Sequence, residues 1–134
     1  RTTRTPPPRP HRSPRRGSPT HTASGPTNYI SRDTAYHDRF AEIGAGLDID
    51  LAVIHLGAYE PRWFMAQSHL NPSETLLAFR QLKARRLMVV HWGTFRLGDE
   101  PVHYPPLQMA AVLKHEGMLD RYLPLNHGQT HRFL

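Results

Sequence analysis

An α/β layered fold is predicted for this chain by three observations: two short apolar strand-like runs, a strong helix start between them, and a regular strand–helix alternation from residue 49 onward. Residues 49–56 (IDLAVIHL) are a strand-length run of β-branched and aliphatic side chains and read as a buried strand. The following GAYEPRWFMAQSHL is aromatic, yet too polar and Pro-interrupted for a regular element. Asn71-Pro72-Ser73-Glu74 then starts a helix: Asn71 can accept from orphan backbone donors, Pro72 suits the first turn, and Glu74 completes a capping box. The helix is expected over residues 71–84, with Leu76, Phe79, Leu82 and Lys83 along one side. Residues 86–92 (RLMVVHW), apolar on both faces, read as a central strand of a covered sheet. After the loop GTFRLGDEPVHY, Pro105-Pro106 opens a helix over 105–116 that Gly117 ends; Met109, Val112 and Leu113 form its apolar stripe. A last short strand is expected at 121–125, before the turn Asn126-His127-Gly128.

Residues 1–28 differ sharply in composition from residues 29–134. They hold seven of the 13 prolines, six arginines, no acid and one apolar side chain, Ala23, and are expected to form an unstructured tail. Residues 29–134 are then the folded portion. The net charge of +6 belongs to the tail, because the eleven acids of 29–134 balance its eleven lysines and arginines. The tail also lacks aromatics between its arginines for stacking on bases, so a nucleic-acid partner is disfavoured. The absence of cysteine excludes a disulfide framework and a thiolate metal site. No stretch reaches the roughly 20 apolar residues that span a bilayer, and no apolar core of a signal peptide is present. A cytoplasmic location, with peripheral membrane contact as a variant, is the expectation. At 134 residues, opening on Arg1, the chain is expected to be part of a larger unit.

Two residues stand out for chemistry. His91 closes an apolar strand, and ligands of open α/β sheets gather outside the carboxyl ends of strands, so an imidazole there suits a metal. A hydrogen-bonded strand-end histidine is the plain alternative. Asp33 follows the short extended pair Tyr29-Ile30, where a carboxylate can bridge two cations; equally, it can cap a segment over 36–43. Residues 29–134 contain eight histidines (His37, His55, His69, His91, His103, His115, His127 and His131), but none forms a tight ligand pair, so local spacing supplies no metal motif.

Three blocks in order carry a family likeness: Gly57-Ala58-Tyr59-Glu60-Pro61-Arg62-Trp63-Phe64-Met65, His69-Leu70-Asn71-Pro72-Ser73-Glu74 and His91-Trp92-Gly93-Thr94-Phe95. With Arg32-Asp33-Thr34-Ala35-Tyr36, Phe40-Ala41-Glu42-Ile43-Gly44 and His127-Gly128-Gln129-Thr130, they resemble the metallo-β-lactamase superfamily branch that contains N-acyl-phosphatidylethanolamine-hydrolysing phospholipase D. The resemblance runs from about Ser31 to the C-terminus and implies the C-terminal half of an αββα sandwich. It further implies that Asp33 bridges two zinc ions, that His91 is a terminal ligand of one of them, and that His69 is a catalytic residue near the reacting phosphate. Tyr59, Glu60 and Arg62 match a loop that shapes the substrate-binding wall. Arg32 and Ala35 depart from the family's pattern, which has glycines at those places.

The family's His-x-His-x-Asp-His block does not occur in these 134 residues. A binuclear centre needs three or four protein ligands per metal, so a chain with one bridging carboxylate and one imidazole is expected to be inactive, or nearly so, alone. Loss of half the sandwich would also bare one face of the remaining sheet. The implied activity is zinc-dependent hydrolysis of a phospholipid-like substrate or another small ester or phosphodiester. The alternatives are a non-catalytic split or truncated product that pairs with a complementary chain, and a binding module that uses the basic tail.

Overall fold

The computed structural model describes residues 25–132. The expected tail lies mostly outside the described residues. Its last positions are tied in, because Thr27 donates its N–H to Asp50 Oδ2 (2.9 Å) and its carbonyl accepts from Asp50 N (2.9 Å). Three strands, β1 (Asn28–Ile30), β2 (Leu51–His55) and β3 (Arg86–Val90), form one parallel sheet in the order β1-β2-β3. The crossovers contain α1 (Arg39–Gly46), then α2 (Arg62–Met65) and α3 (Pro72–Leu82); α4 (Tyr104–His115) follows β3. This is the α/β arrangement that the alternation of sequence patterns predicts.

The helices cover one sheet face. Phe40 of α1, Leu76, Ala78, Phe79 and Leu82 of α3, and Met109 and Leu113 of α4 bury against Ala52 and Ile54 of β2 and Leu87 and Val89 of β3. Helix α3 begins as its sequence dictates. Asn71 Oδ1 accepts from Glu74 N (2.8 Å), while Glu74 Oε2 accepts from Asn71 N (3.1 Å). It ends at Leu82, followed by Lys83 in the left-handed region, slightly short of the expected 84. Helix α4 ends in a Schellman motif: Met118 N donates to Leu113 O (2.8 Å) and Gly117 N to Lys114 O (3.1 Å), with Gly117 at φ 67°.

Three expectations change. The strand expected at 121–125 is reduced to one parallel bridge between Leu87 and Tyr122, preceded by a 3-10 turn at Leu119–Arg121. Leu123 N still reaches Leu87 O (2.8 Å), and the pairing goes no further. The stretch expected to be irregular contains α2, a single turn in which Pro61 O accepts from Phe64 N (3.1 Å) and Met65 N (2.9 Å). The second sheet face is not bare: Leu51 and Val53 are buried with Leu123, and Met88, Val90 and Leu125 are half-buried around them. The segment after α4, paired beside β3, adds Leu123 and Leu125 to that face. Among the described residues no helix is long and apolar enough to cross a membrane.

Candidate metal centre at the carboxyl ends of the strands

The parallel sheet brings the carboxyl ends of β1, β2 and β3 to one edge, and polar side chains follow each strand there. Ser31 and Asp33 follow β1, His55 ends β2, and His91 follows β3. His69 joins them from the loop between α2 and α3. Asp33 Oδ1 lies 3.1 Å from His91 Nε2 and 3.9 Å from His69 Nδ1. The rings of His55, His69 and His91 sit 5.6–5.9 Å apart, centroid to centroid. Asp33, His69 and His91, isolated positions in the sequence, thus share one site. Asp33 does not cap α1: Asp38 occupies that position, without a side-chain cap.

His91 reaches this position through its backbone. Its φ of 69° is left-handed, which ends β3 at Val90 and turns the chain out of the sheet. Gly57 packs directly behind it, where an added Cβ would collide with the His91 carbonyl oxygen. Leu56 N, donating to Val90 O (2.8 Å), holds the two strand ends in register.

The loop of Tyr59, Glu60 and Arg62 is braced inward. The Arg62 guanidinium grips both Glu74 oxygens (2.9 and 3.1 Å) and also donates to Tyr59 O (3.2 Å) and His69 O (3.0 Å). Buried Glu100 accepts from Tyr59 N (3.3 Å) and Glu60 N (3.0 Å). Glu60 Oε2 accepts from Arg62 N (3.1 Å), and the Tyr59 hydroxyl bonds the Gln108 side chain. These contacts fix the backbone that carries His69. Sequence reasoning gave Glu74 only a capping role and Glu100 none, yet both brace this loop. His127 lies elsewhere, with its Nε2 3.1 Å from Trp92 O and its ring against Trp92.

His55 is the residue that sequence reasoning missed. Its side chain is buried; Ser31 Oγ accepts from its backbone N–H (3.0 Å) and lies 3.2 Å from its Nδ1, while Thr34 N points at its Nε2 (3.4 Å). A signal was available: His55 closes an apolar strand just as His91 does. Burial, opposed by Asp33 and reinforced by His91 and His69, pushes its pKa down to about 4. An unfolded histidine takes up a proton near pH 6.5. Between those values the unfolded chain binds more protons, so stability falls as pH drops. The metal-free protein is therefore expected to lose about 2 kcal/mol from this group between pH 7 and pH 5. Urea titrations at both pH values check this, with His55→Asn as reference; identical pH slopes for the two proteins would count against it.

Three imidazoles and a carboxylate are a donor set suited to a borderline divalent ion such as Zn2+. The buried Nδ1 of His69 has no hydrogen-bond partner, which fits an atom reserved for a ligand. The profile of the family described as Beta-lactamase superfamily domain matches residues 4–92. This chain belongs to that family. The match begins within the segment expected to be a tail. Among curated relatives of this β-lactamase-superfamily chain is N-acyl-phosphatidylethanolamine-hydrolyzing phospholipase D 1 of Caenorhabditis elegans, 41% identical over 80 residues, which cover 58% of this chain and 22% of the relative. The mitochondrial N-acyl-phosphatidylethanolamine-hydrolyzing phospholipase D of Saccharomyces cerevisiae is 33% identical over 111 residues, 81% of this chain and 24% of the relative. The matches thus span about a quarter of the length of these relatives. A solved structure of Igni18, described as a novel metallo hydrolase from Ignicoccus hospitalis, superposes with a TM-score of 0.61 at 18% identity, covering 79% of this chain and 41% of that one. That likeness supports the fold.

Proposed function

We propose that this chain supplies part of the active site of a zinc-dependent hydrolase acting on phospholipid-like phosphodiesters. The observation that carries this reading is the convergence of Asp33 and His91, 3.1 Å apart beyond the ends of two parallel strands. The names of the phospholipase D relatives support the substrate class. Bound zinc would lower the pKa of a coordinated water and polarise the phosphoryl oxygens. Asp33 and His91 hold the metal. His69, fixed through its carbonyl by Arg62, faces the reacting group from the loop side. The residues 59–62 form the wall of the substrate cleft. The protein alone turns over little or no substrate, because a binuclear centre needs three or four protein ligands per metal and this site gathers four donors in all. A split product that pairs with a complementary chain is the second reading, favoured by the 22–24% share of its relatives that it matches.

Equilibrium dialysis against Zn2+, together with hydrolysis of N-acyl-phosphatidylethanolamine in mixed micelles, tests the proposal. The wild-type chain is expected to retain zinc with negligible turnover. Asp33→Ala and His91→Ala are each expected to weaken zinc binding by at least about 100-fold. Retention of zinc by both variants at wild-type affinity would refute the assignment. Rapid turnover by the 134-residue chain would refute the claim that it is incomplete.

A further inference from the structure

The proposed function gives His55 no part, although this histidine sits among the same strand ends. A buried, hydrogen-bonded histidine is often no more than a satisfied core residue. His55 differs in its neighbours: one donor atom each of Asp33, His55 and His69 lies within 4.8 Å of the others, and His91 Nε2 is 3.1 Å from the same Asp33 carboxylate. The hydrogen-bond network also orients the ring. Thr34 N–H points at Nε2, which leaves the lone pair there and the proton on Nδ1, 3.2 Å from Ser31 Oγ. Ligating histidines commonly donate their second ring N–H to an oxygen in this way, which fixes the tautomer and raises the basicity of the ligating nitrogen. The Thr34 contact, at 3.4 Å, is long and readily given up. The partnerless Nδ1 of His69 belongs to the same cluster of donor atoms.

We propose that His55 is a metal ligand, and that Asp33, His55, His69 and His91 together hold a single divalent ion in a closed four-coordinate site within this chain. The inference rests on the zinc reading of Asp33 and His91 and extends it. Tetrahedral bonds of about 2.0–2.1 Å put neighbouring donor atoms roughly 3.3 Å apart. The pair already at 3.1 Å meets that spacing; the donor atoms of His55 and His69, within 4.8 Å of Asp33, have to draw in by up to about 1.5 Å when the ion binds. A site with four protein ligands leaves no position for water or substrate, the arrangement of structural zinc rather than catalytic zinc. In the chain by itself His69 is thereby drawn onto the metal, and it faces the reacting group only in the complete centre of the proposed function. The ion locks β1, β2, β3 and the α2–α3 loop together at one point.

Co2+ serves as the probe, added to the metal-free 134-residue protein and followed by its visible d–d spectrum, with Zn2+ affinity measured by competition. The expected result is one ion per chain with the intense absorption of four-coordinate cobalt. His55→Asn is expected to weaken Zn2+ binding by about 100-fold, and Ser31→Ala, which removes the hydroxyl that meets both the ring and the backbone N–H of His55, by about 10-fold. Because His55→Asn replaces a buried residue, 15N imidazole spectra of the wild-type protein supply an independent measurement. The Nε2 resonance of His55 and the Nδ1 resonance of His69 should shift together on one equivalent of Zn2+. Zinc binding through Asp33 and His91 with a silent His55 resonance, or a weak six-coordinate cobalt spectrum, would overturn this inference and leave the proposed function standing. Failure to bind any divalent ion would overturn both.

Discussion

Phe79→Ala is expected to destabilise the protein by about 3–5 kcal/mol, the largest effect of any single substitution considered. The ring is fully buried between α3 and the sheet, and the Arg121 guanidinium stacks over it at 4.7 Å from its centroid. Arg121 also donates to Arg85 O (3.1 Å) and to Ala84 O, so the ring anchors the turn that leads into β3. Truncation loses the transfer energy of the ring, leaves a void that the surrounding helices cannot fully fill, and removes a cation–π contact. A domain of this size has only about 5–15 kcal/mol of stability to lose. Thermal unfolding should shift down by roughly 10–20 °C. A loss below about 1 kcal/mol in urea titration would show that the core does not depend on this contact.

Gly57→Ala ranks second, and it connects the fold to the site. The new methyl would meet the carbonyl oxygen of His91, a backbone atom that cannot rotate aside. Relief requires the end of β3 to move away from β2, against the Leu56 N to Val90 O bond. The expected cost is about 1–3 kcal/mol of stability, typical of overpacking. Because His91 sits at the displaced end, zinc affinity should fall about 10–100-fold even though no ligand is changed. Calorimetric zinc titration of the variant beside its unfolding curve checks both effects. Wild-type affinity and stability together would mean that the strand ends give way freely.

Local chemistry explains which parts of this architecture were legible in the sequence. Strands β2 and β3 and helices α3 and α4 announce themselves through apolar runs, Asn71 and Glu74 at a start, and Gly117 at an end, so their bounds fall within about two residues of expectation. The strand expected at 121–125 shrinks to one bridge, its first residue, Arg121, being taken up by the 3-10 turn Leu119–Arg121, which the aliphatic run does not encode. The site was only half legible. Strand-end position singles out Asp33 and His91 and a family resemblance adds His69, whereas spacing alone cannot join residues 58 positions apart. His55 is one of eight dispersed histidines that spacing does not distinguish, although its place at a strand end matches that of His91. The grip of Arg62 on Glu74 spans twelve residues of chain, and no local pattern encodes it.

That grip has a mechanical consequence. Glu74 commits one oxygen to the Asn71 backbone and shares both with Arg62, whose second amino group holds the carbonyl of His69. Fraying of the first turn of α3 would therefore release the imidazole three residues upstream of Pro72. Order at the rim of the cleft is borrowed from the integrity of a helix end, and the planar fork of an arginine, which a lysine cannot imitate, is the coupling between them.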